Sequence, residues 1–245
     1  MIIYNYDDEL IRGKSDTFNG ERAAFSVHHN LQLEEIRIGC YLELERIKYF
    51  NRIDNYDASI MNTSDIQIRG MHNVYNSLAS ITAAKAFEIE NEVIVDTLKN
   101  FSGVEHRIEF VKEINGVKYY NDSKATNVDS LTVALESFDK NIILIMGGEE
   151  AENDFEHIKD LIFKRVKNII AIGESKQLLK QALSRVVGVE IAESLEEAVR
   201  TASNKGSEGD VVLFSPAYKS FDMFDNFEHR GKEFKKIVNQ LEQNQ

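Results

Sequence analysis

The chain lacks the residues that mark disulfide-bonded, metal-thiolate and membrane proteins. Its single cysteine, Cys40, excludes an internal disulfide and a thiolate metal cluster, and we expect it to be a small buried hydrophobe. No apolar run approaches the roughly 18 residues of a membrane-spanning helix, and no signal-peptide pattern follows Met1. The sequence therefore predicts a cytoplasmic protein with no membrane partner.

Basic residues are also in the minority. There are 29 Lys and Arg against 41 Asp and Glu, which gives a formal net charge of −12. This balance disfavours a nucleic-acid partner but still allows a small anionic ligand bound by local donors. With 245 residues, 42% of them hydrophobic, the chain has room for one large domain or two ordinary ones.

Glycine-rich phosphate loops are missing as well. Arg12-Gly13-Lys14-Ser15 resembles the tail of a P-loop, but Asp8 stands where the first glycine of that loop is required. No G-x-G occurs, which excludes the dinucleotide fingerprint. Gly147-Gly148 follows a predicted strand, where it suits either a close ligand or a tight turn.

The first hundred residues are rich in strand-like segments that we predict to form an antiparallel meander. They are followed by a helix that reaches Phe87, a second helix over 91–98, and a linker at 101–103. The predicted strands are Ile2–Tyr4, Ala23–Val27, Ile38–Leu44 and a segment around Tyr49 and Phe50.

From Glu105 onward, short apolar runs alternate with helical patterns. This alternation predicts an α/β fold with a Rossmann-like, mostly parallel sheet and flanking helices. The expected strands are 141–146, 168–172, 189–192 and 211–214, and the expected helices are 155–166, 174–186, 194–204 and 226–241.

The most informative segment is the polar run from Asn121 to Asn127, which connects a predicted strand to a predicted helix. Backbone N–H groups at a helix start favour an anion, and Lys124 would add a positive charge there. Alternatively, Asn127 only caps the helix, and Ser123 and Thr126 serve the turn. The residues alone leave both interpretations open.

Several separated segments together resemble the Mur ligase family. They are the hinge-like run 101–110, the run 121–127 in the form found in the D-glutamate-adding member, the late segment 215–231, and the helix start at Gly70, His72, Asn73 and Asn76. The resemblance implies that 1–103 is the remnant of an ATP-binding central domain and that 104–245 is the C-terminal, amino-acid-binding domain.

The resemblance further implies an amide ligase of peptidoglycan synthesis, with roles in cell-wall biogenesis, cell shape and cell division. Such an enzyme uses ATP and Mg to join D-glutamate to UDP-N-acetylmuramoyl-L-alanine through an acyl phosphate. By the same resemblance Lys124 is catalytic, Thr126, Ser220 and Phe227 bind substrate, and Asn76, Arg107 and Asp122 bind nucleotide. No metal ligand is assigned to this chain.

Several of these residues also have a structural interpretation. Arg107 could pair with Glu105 or Glu109 at the surface, and Asp122 could form a turn. Asn73 and Asn76 could be a cap and an exposed helix residue, and the side chain of Phe227 could belong to the core.

Two departures from the family pattern affect the expected activity. The UDP-binding domain, the P-loop and the magnesium ligands lie outside the chain, so we expect no catalysis unless a separate N-terminal half is supplied. Ala151 and Glu152 stand where the family has a basic residue and a glycine, so like-charge repulsion could alter amino-acid binding. The alternatives are a non-catalytic domain that binds a small anion or a protein, or a related ligase of different amino-acid specificity.

Overall fold

The computed structural model describes residues 1–68, 70–149, 151 and 154–241. The chain divides into two compact units, Met1–Ser102 and Gly103–Gln245. The described helices and strands confirm the predicted α/β class.

The first unit contains one five-stranded sheet of strand order β1-β2-β3-β4-β5. Helices α2 and α3 pack Leu78, Ile81 and Ile94 against one face of it. The elements are β1 (Ile2–Asn5), α1 (Glu9–Ser15), β2 (Arg22–Ser26), β3 (Ile38–Glu43), β4 (Arg46–Asn51), β5 (Tyr56–Asn62), α2 (Met71–Ala86) and α3 (Asn91–Asn100), with single 3-10 turns at Leu31–Leu33 and Thr63–Asp65.

The prediction of an antiparallel meander in this unit is wrong for its first half. β1 pairs with β2 in parallel, and β2 pairs with β3 in parallel. Only β3, β4 and β5 are antiparallel. The reason is the connections, because α1 and the 3-10 turn at Leu31–Leu33 return the chain to the same end of the sheet, whereas a short turn at Leu44 and Glu45 reverses it.

The second unit contains a six-stranded sheet of order β10-β9-β8-β11-β7-β6. All neighbouring strands are parallel except β6 and β7, which form a hairpin. The elements are β6 (Glu109–Ile114), β7 (Val117–Asn121), α4 (Val128–Glu136), β8 (Ile142–Gly147), α5 (Lys159–Arg165), β9 (Val166–Ile172), α6 (Lys176–Leu183), β10 (Val189–Ile191), α7 (Leu195–Lys205), β11 (Val211–Phe214) and α8 (Phe227–Gln240), with a 3-10 turn at Glu156–Ile158.

Helices cover both faces of this sheet. Leu131 of α4 and Leu179 of α6 pack on one face, and Val199 of α7 and Phe234 of α8 pack on the other. β7 and β11 are neighbouring strands. The helices that follow them, α4 and α8, lie on opposite faces of the sheet. In open α/β sheets, the crevice at the carboxyl ends of such strands is where ligands bind.

A two-residue hairpin turn at Asn115 and Gly116, an Asn-Gly pair that is typical of such turns, leads into β7. Asn115 and Gly116 have positive φ angles of 51° and 77°, the backbone that a two-residue type I′ turn requires. Ile114 and Val117 are then direct partners across the two strands. This hairpin sets the register of β7 and thereby the position of the polar run that follows it.

Candidate functional site

The polar run after β7 is a strand-to-helix turn, as predicted. Asn127 caps α4, because its side-chain oxygen accepts a hydrogen bond of 2.8 Å from the Ser130 N–H. Lys124 is exposed and Thr126 is half-buried, whereas Ser123 is fully buried. The capping interpretation of Asn127 is therefore confirmed. Lys124 is exposed on the same turn and presents a positive charge there.

A second turn follows β11 and ends at α8. Its residue Ser220 is buried, with 2% of its surface exposed. Asn226 caps α8 by accepting from the His229 N–H at 2.7 Å. Phe227 is the first residue of α8, so its N–H belongs to the helix end where the backbone donors have no intrahelical partner.

The two turns meet at the same edge of the sheet. β7 and β11 are parallel neighbours in which Asn121 is the partner of Phe214. The Ala217 N–H donates to the Ala125 carbonyl at 2.9 Å, and Ser123 Oγ donates to the Phe227 carbonyl at 2.8 Å. The structure thus brings together the two segments that hold Lys124, Thr126, Ser220 and Phe227.

The side chain of Phe227 does not lie in the core as the structural interpretation proposed. It is half-buried, and its ring faces the Lys124 ammonium, with Nζ 5.7 Å from the ring centroid. The ring also meets His106 edge-on. Because Phe227 begins α8 at the edge of the sheet, it lies beyond the helix turns that pack on the strands.

A small cleft of about 230 Å³ opens beside the first turn. It brings the predicted nucleotide-binding residues Arg107 and Asp122 together with Lys124. The lining residues are Arg107, Ile108, Asp122, Lys124, Ala125, Asp129, Ser130 and Val133.

Arg107 is exposed, and the carboxylates proposed as its partners are used elsewhere. Glu105 and Glu109 both accept from Lys235, at 2.7 and 2.8 Å. The arginine is therefore available as a cation at the rim of the cleft.

Asp122 is more than a turn former. Its Oδ1 accepts from the Ile108 N–H at 3.2 Å and its Oδ2 accepts from Ser215 Oγ at 2.8 Å. Burial raises the pKa of this carboxyl to about 7, although the Ser215 and Ile108 hydrogen bonds and the nearby Arg107 oppose the shift. Asp122 thus joins the segment before β6 to the end of β11 and carries a charge that depends on pH near neutrality.

Asn76 lies in the first unit, on the exposed side of the first turns of α2. Its Nδ2 donates to Asn73 Oδ1 at 3.3 Å. The proposed capping role of Asn73 is wrong, because Gly70, with φ of 96°, is the N-cap residue. The assignment of Asn76 to the nucleotide stays a prediction.

Gly147 and Gly148 serve close packing at the end of β8. A Cβ at Gly147 would lie 2.1 Å from the Ile172 carbonyl oxygen, and one at Gly148 would lie 2.2 Å from the Lys219 carbonyl oxygen. Their positive φ angles also suit glycine. After them Ala151 is exposed, and Glu152 lies outside the described residues.

The P-loop-like run Arg12–Ser15 lies in helix α1, so its backbone cannot form a phosphate cradle.

Within the described part of the chain, no helix is long and apolar enough to cross a membrane. Cys40 is buried and unbridged, as expected, and burial raises the pKa of its thiol.

Arg230, the largest of the fully buried side chains among the described residues, was not predicted from the sequence. It contacts both turns through hydrogen bonds that span up to 107 positions of sequence. One signal was present, since Gly231 interrupts a helical pattern and thus indicates a close approach.

Comparison with known proteins agrees with this fold. A family described as "Mur ligase, glutamate ligase domain" matches residues 106–218. The UDP-N-acetylmuramoylalanine–D-glutamate ligase of Caldicellulosiruptor bescii is 41% identical over 241 residues, which cover 98% of this chain and 51% of that protein. The corresponding ligase of Salinibacter ruber is 38% identical over 243 residues, covering 98% and 52%.

Solved structures share the fold at low sequence identity. A pseudomurein peptide ligase type C from Methanothermus fervidus has a TM-score of 0.62 at 14% identity, covering 98% of this chain and 56% of that one. The MurF ligase from Thermotoga maritima, solved in complex with ADP, has a TM-score of 0.59 at 12% identity, covering 97% and 53%.

The α/β fold of this chain is shared with the solved ligases. The chain belongs to the Mur ligase family. It matches the C-terminal half of the UDP-N-acetylmuramoylalanine–D-glutamate ligases and spans about half the length of the curated relatives it matches.

Proposed function

We propose that this chain supplies the amino-acid-binding part of an ATP-dependent ligase that joins D-glutamate to UDP-N-acetylmuramoyl-L-alanine in the cytoplasm. The observation that supports it most is the meeting of the turns after β7 and β11. Hydrogen bonds between the turns bring two segments to one edge of the sheet. These segments hold four residues with suitable donors, Lys124, Thr126, Ser220 and Phe227. The names and lengths of the relatives fit one half of such an enzyme.

The chemistry of these donors suits a dianionic amino acid. Lys124 offers a cation, Thr126 and Ser220 offer hydroxyl groups, and Phe227 offers an N–H at the start of α8. The helix dipole at that position favours a carboxylate. Lys124 is also the group that would stabilise the negative charge that develops on the acyl oxygen when the amine attacks.

The cleft beside the first turn fits part of a nucleotide. Arg107 suits phosphate oxygens, and each Asp122 oxygen retains a lone pair for a sugar hydroxyl. When bound, ATP with Mg²⁺ would supply the phosphoryl group that activates the substrate carboxyl. At about 230 Å³ the cleft is smaller than the roughly 300–1,000 Å³ of a complete small-molecule site. The other half of the proposed enzyme would supply the remaining contacts to the nucleotide.

Magnesium ligands are not assigned to this chain. Among the described residues, no three His, Cys, Asp or Glu side chains converge as a metal site. Mg²⁺ at nucleotide sites commonly uses one or two carboxylates together with phosphate oxygens. We therefore assign the coordination of Mg²⁺ to the nucleotide phosphates and to the other half of the enzyme.

A chimera tests the proposal directly. The half of the Caldicellulosiruptor bescii relative that this chain does not match is fused ahead of Met1, and amide formation is measured with D-glutamate, L-glutamate and no amino acid. We expect product with D-glutamate only, and no ATP hydrolysis by the 245-residue chain alone. A folded chimera without turnover, under conditions where the intact relative is active, would contradict the proposal.

A non-catalytic binding domain is the second candidate. Exposed Ala151, at a position where the family has a basic residue, favours it, because the dianionic amino acid would lose an attractive charge. In the same assay, turnover with another amino acid in place of D-glutamate would indicate a ligase of different specificity. An inactive but folded chimera would favour the binding domain.

A further inference from the structure

Arg230 connects the two turns of the candidate site. It lies in α8 with 1% of its surface exposed. Its Nη2 donates to the Ser123 carbonyl at 2.9 Å and to the Tyr218 carbonyl at 3.0 Å. Ser123 belongs to the turn after β7, and Tyr218 belongs to the segment after β11. One guanidinium therefore holds both turns through their backbones.

Ser123 extends this connection to the start of α8. Its Oγ accepts from Arg230 Nε at 3.1 Å and donates to the Phe227 carbonyl at 2.8 Å. The first residue of α8 is thus fixed against the first turn. Arg230 and Ser123 thus form one hydrogen-bonded network with the turn after β7, the segment after β11 and the start of α8.

Gly231 permits this close approach of the helix. A Cβ there would lie 2.3 Å from His106 Nδ1, which is too near for any side chain without a shift. Asn121 Nδ2 also lies 3.4 Å from the Gly231 carbonyl oxygen. Glycine inside a helix is less favourable than alanine, so its place here is explained by the packing of α8 against the turn.

Packing alone does not explain a buried arginine. Burial lowers the pKa of Arg230 to about 10, and its Nη1 is buried without a hydrogen-bond partner among the described residues. A buried cation with an unpaired N–H lowers stability, and an apolar side chain of similar volume would avoid that cost. What an apolar side chain could not do is donate to Ser123 and Tyr218 at fixed angles.

We propose that Arg230 is a positioning residue for the amino-acid site. It fixes Lys124 and Thr126, on one turn, relative to Ser220 and the Phe227 backbone on the other. What the turns bind rests on the proposed function, whereas the connection itself rests on the hydrogen bonds. A displacement of about 1 Å at such a site lowers the rate on the order of 100-fold.

Amide hydrogen exchange of the full chain tests the connection without any ligand. Arg230→Lys keeps the charge but loses the planar fork that reaches both carbonyls. We expect the Ala217 and Lys124 amides to exchange at least about tenfold faster, with Ile143 in the central strand β8 unchanged. Unchanged exchange at Ala217 and Lys124, or equal acceleration at Ile143, would overturn the proposal.

Arg165→Lys is the matched control. Arg165 also donates to backbone carbonyls, those of Leu135, Glu136 and Phe138, but at the other end of α4. We expect it to leave Ala217 exchange unchanged. If Arg230→Lys does not fold, Ser123→Ala removes the shared hydroxyl while keeping the arginine, and the same pair of outcomes applies.

The chimera then separates this inference from the proposed function. If Arg230→Lys loosens the turns and raises the KM for D-glutamate at least about tenfold over Arg165→Lys, the positioning role is supported. Loosened turns with an unchanged KM would overturn it. A wild-type chimera that does not use D-glutamate contradicts the proposed function, while the exchange result still decides whether Arg230 connects the turns.

Discussion

At Asp122, burial and hydrogen bonding act in opposite directions on the carboxyl pKa, and burial is the larger effect. The folded pKa of about 7 lies above the ordinary value of about 3.9. Between these pH values the folded chain binds more protons than the unfolded chain. The free energy of unfolding therefore falls as pH rises through this window, by at most about 1.4 kcal/mol per pH unit.

Asp122→Asn should remove this pH dependence. The amide oxygen still accepts from the Ile108 N–H, and the amide nitrogen donates to Ser215, so the variant resembles the protonated carboxyl. Urea denaturation at about pH 5 and about pH 7.5 measures the difference, with exposed Asp139→Asn as the control. If wild type and Asp122→Asn lose the same stability over this range, the raised pKa is wrong.

At the residue scale, the sequence predicted the local structure of the candidate site. Lys124 and Asn127 could be placed because hairpin, turn and cap signals all lie within a few residues of them. Arg230 could not, because its partners depend on which strands become neighbours, and Ser123 is 107 positions away. Long-range hydrogen bonds leave no local pattern.

At the scale of elements, the turn after β7 depends on the cap of α4. Asn127→Ala removes the hydrogen bond to the Ser130 N–H and should lower the free energy of unfolding by about 1 kcal/mol. Ser194→Ala is the matched control, since Ser194 caps α7 by the same kind of bond to the Glu197 N–H.

The two cap variants should differ in function. Both lower stability in urea denaturation, but only Asn127→Ala should raise the KM for D-glutamate in the chimera, because only α4 begins beside Lys124 and Thr126. Equal KM values in the two variants would mean that the cap stabilises the helix without shaping the site.

Strand direction was the element-scale feature that sequence reasoning misjudged. The strands β1, β2 and β3 were recognised, but apolar patterns do not distinguish parallel from antiparallel neighbours. Direction follows from the connections, and the short helix α1 was not predicted. In the second unit the longer helices between strands made the parallel arrangement predictable.

At the scale of the whole molecule, the two units should differ in stability. The second unit covers both faces of its sheet with helices. The first packs α2 and α3 on one face, while the other face has a small cluster around Tyr41 and Phe50. We expect limited proteolysis to cut Met1–Ser102 first and to leave a resistant fragment from Gly103–Gln245. Mass spectrometry identifies the fragments. Equal resistance of both units would contradict this expectation.

The most direct test of the amino-acid site is the D-glutamate dependence of Ser220→Ala in the chimera. Loss of a hydrogen bond to a carboxylate, about 1.5–3 kcal/mol, predicts a KM roughly 10- to 150-fold higher, with the KM for ATP unchanged. Ser207→Ala, in an exposed loop of the same unit, should leave both values unchanged. A Ser220→Ala chimera whose KM for D-glutamate equals that of wild type would contradict the assignment of the two turns to amino-acid binding.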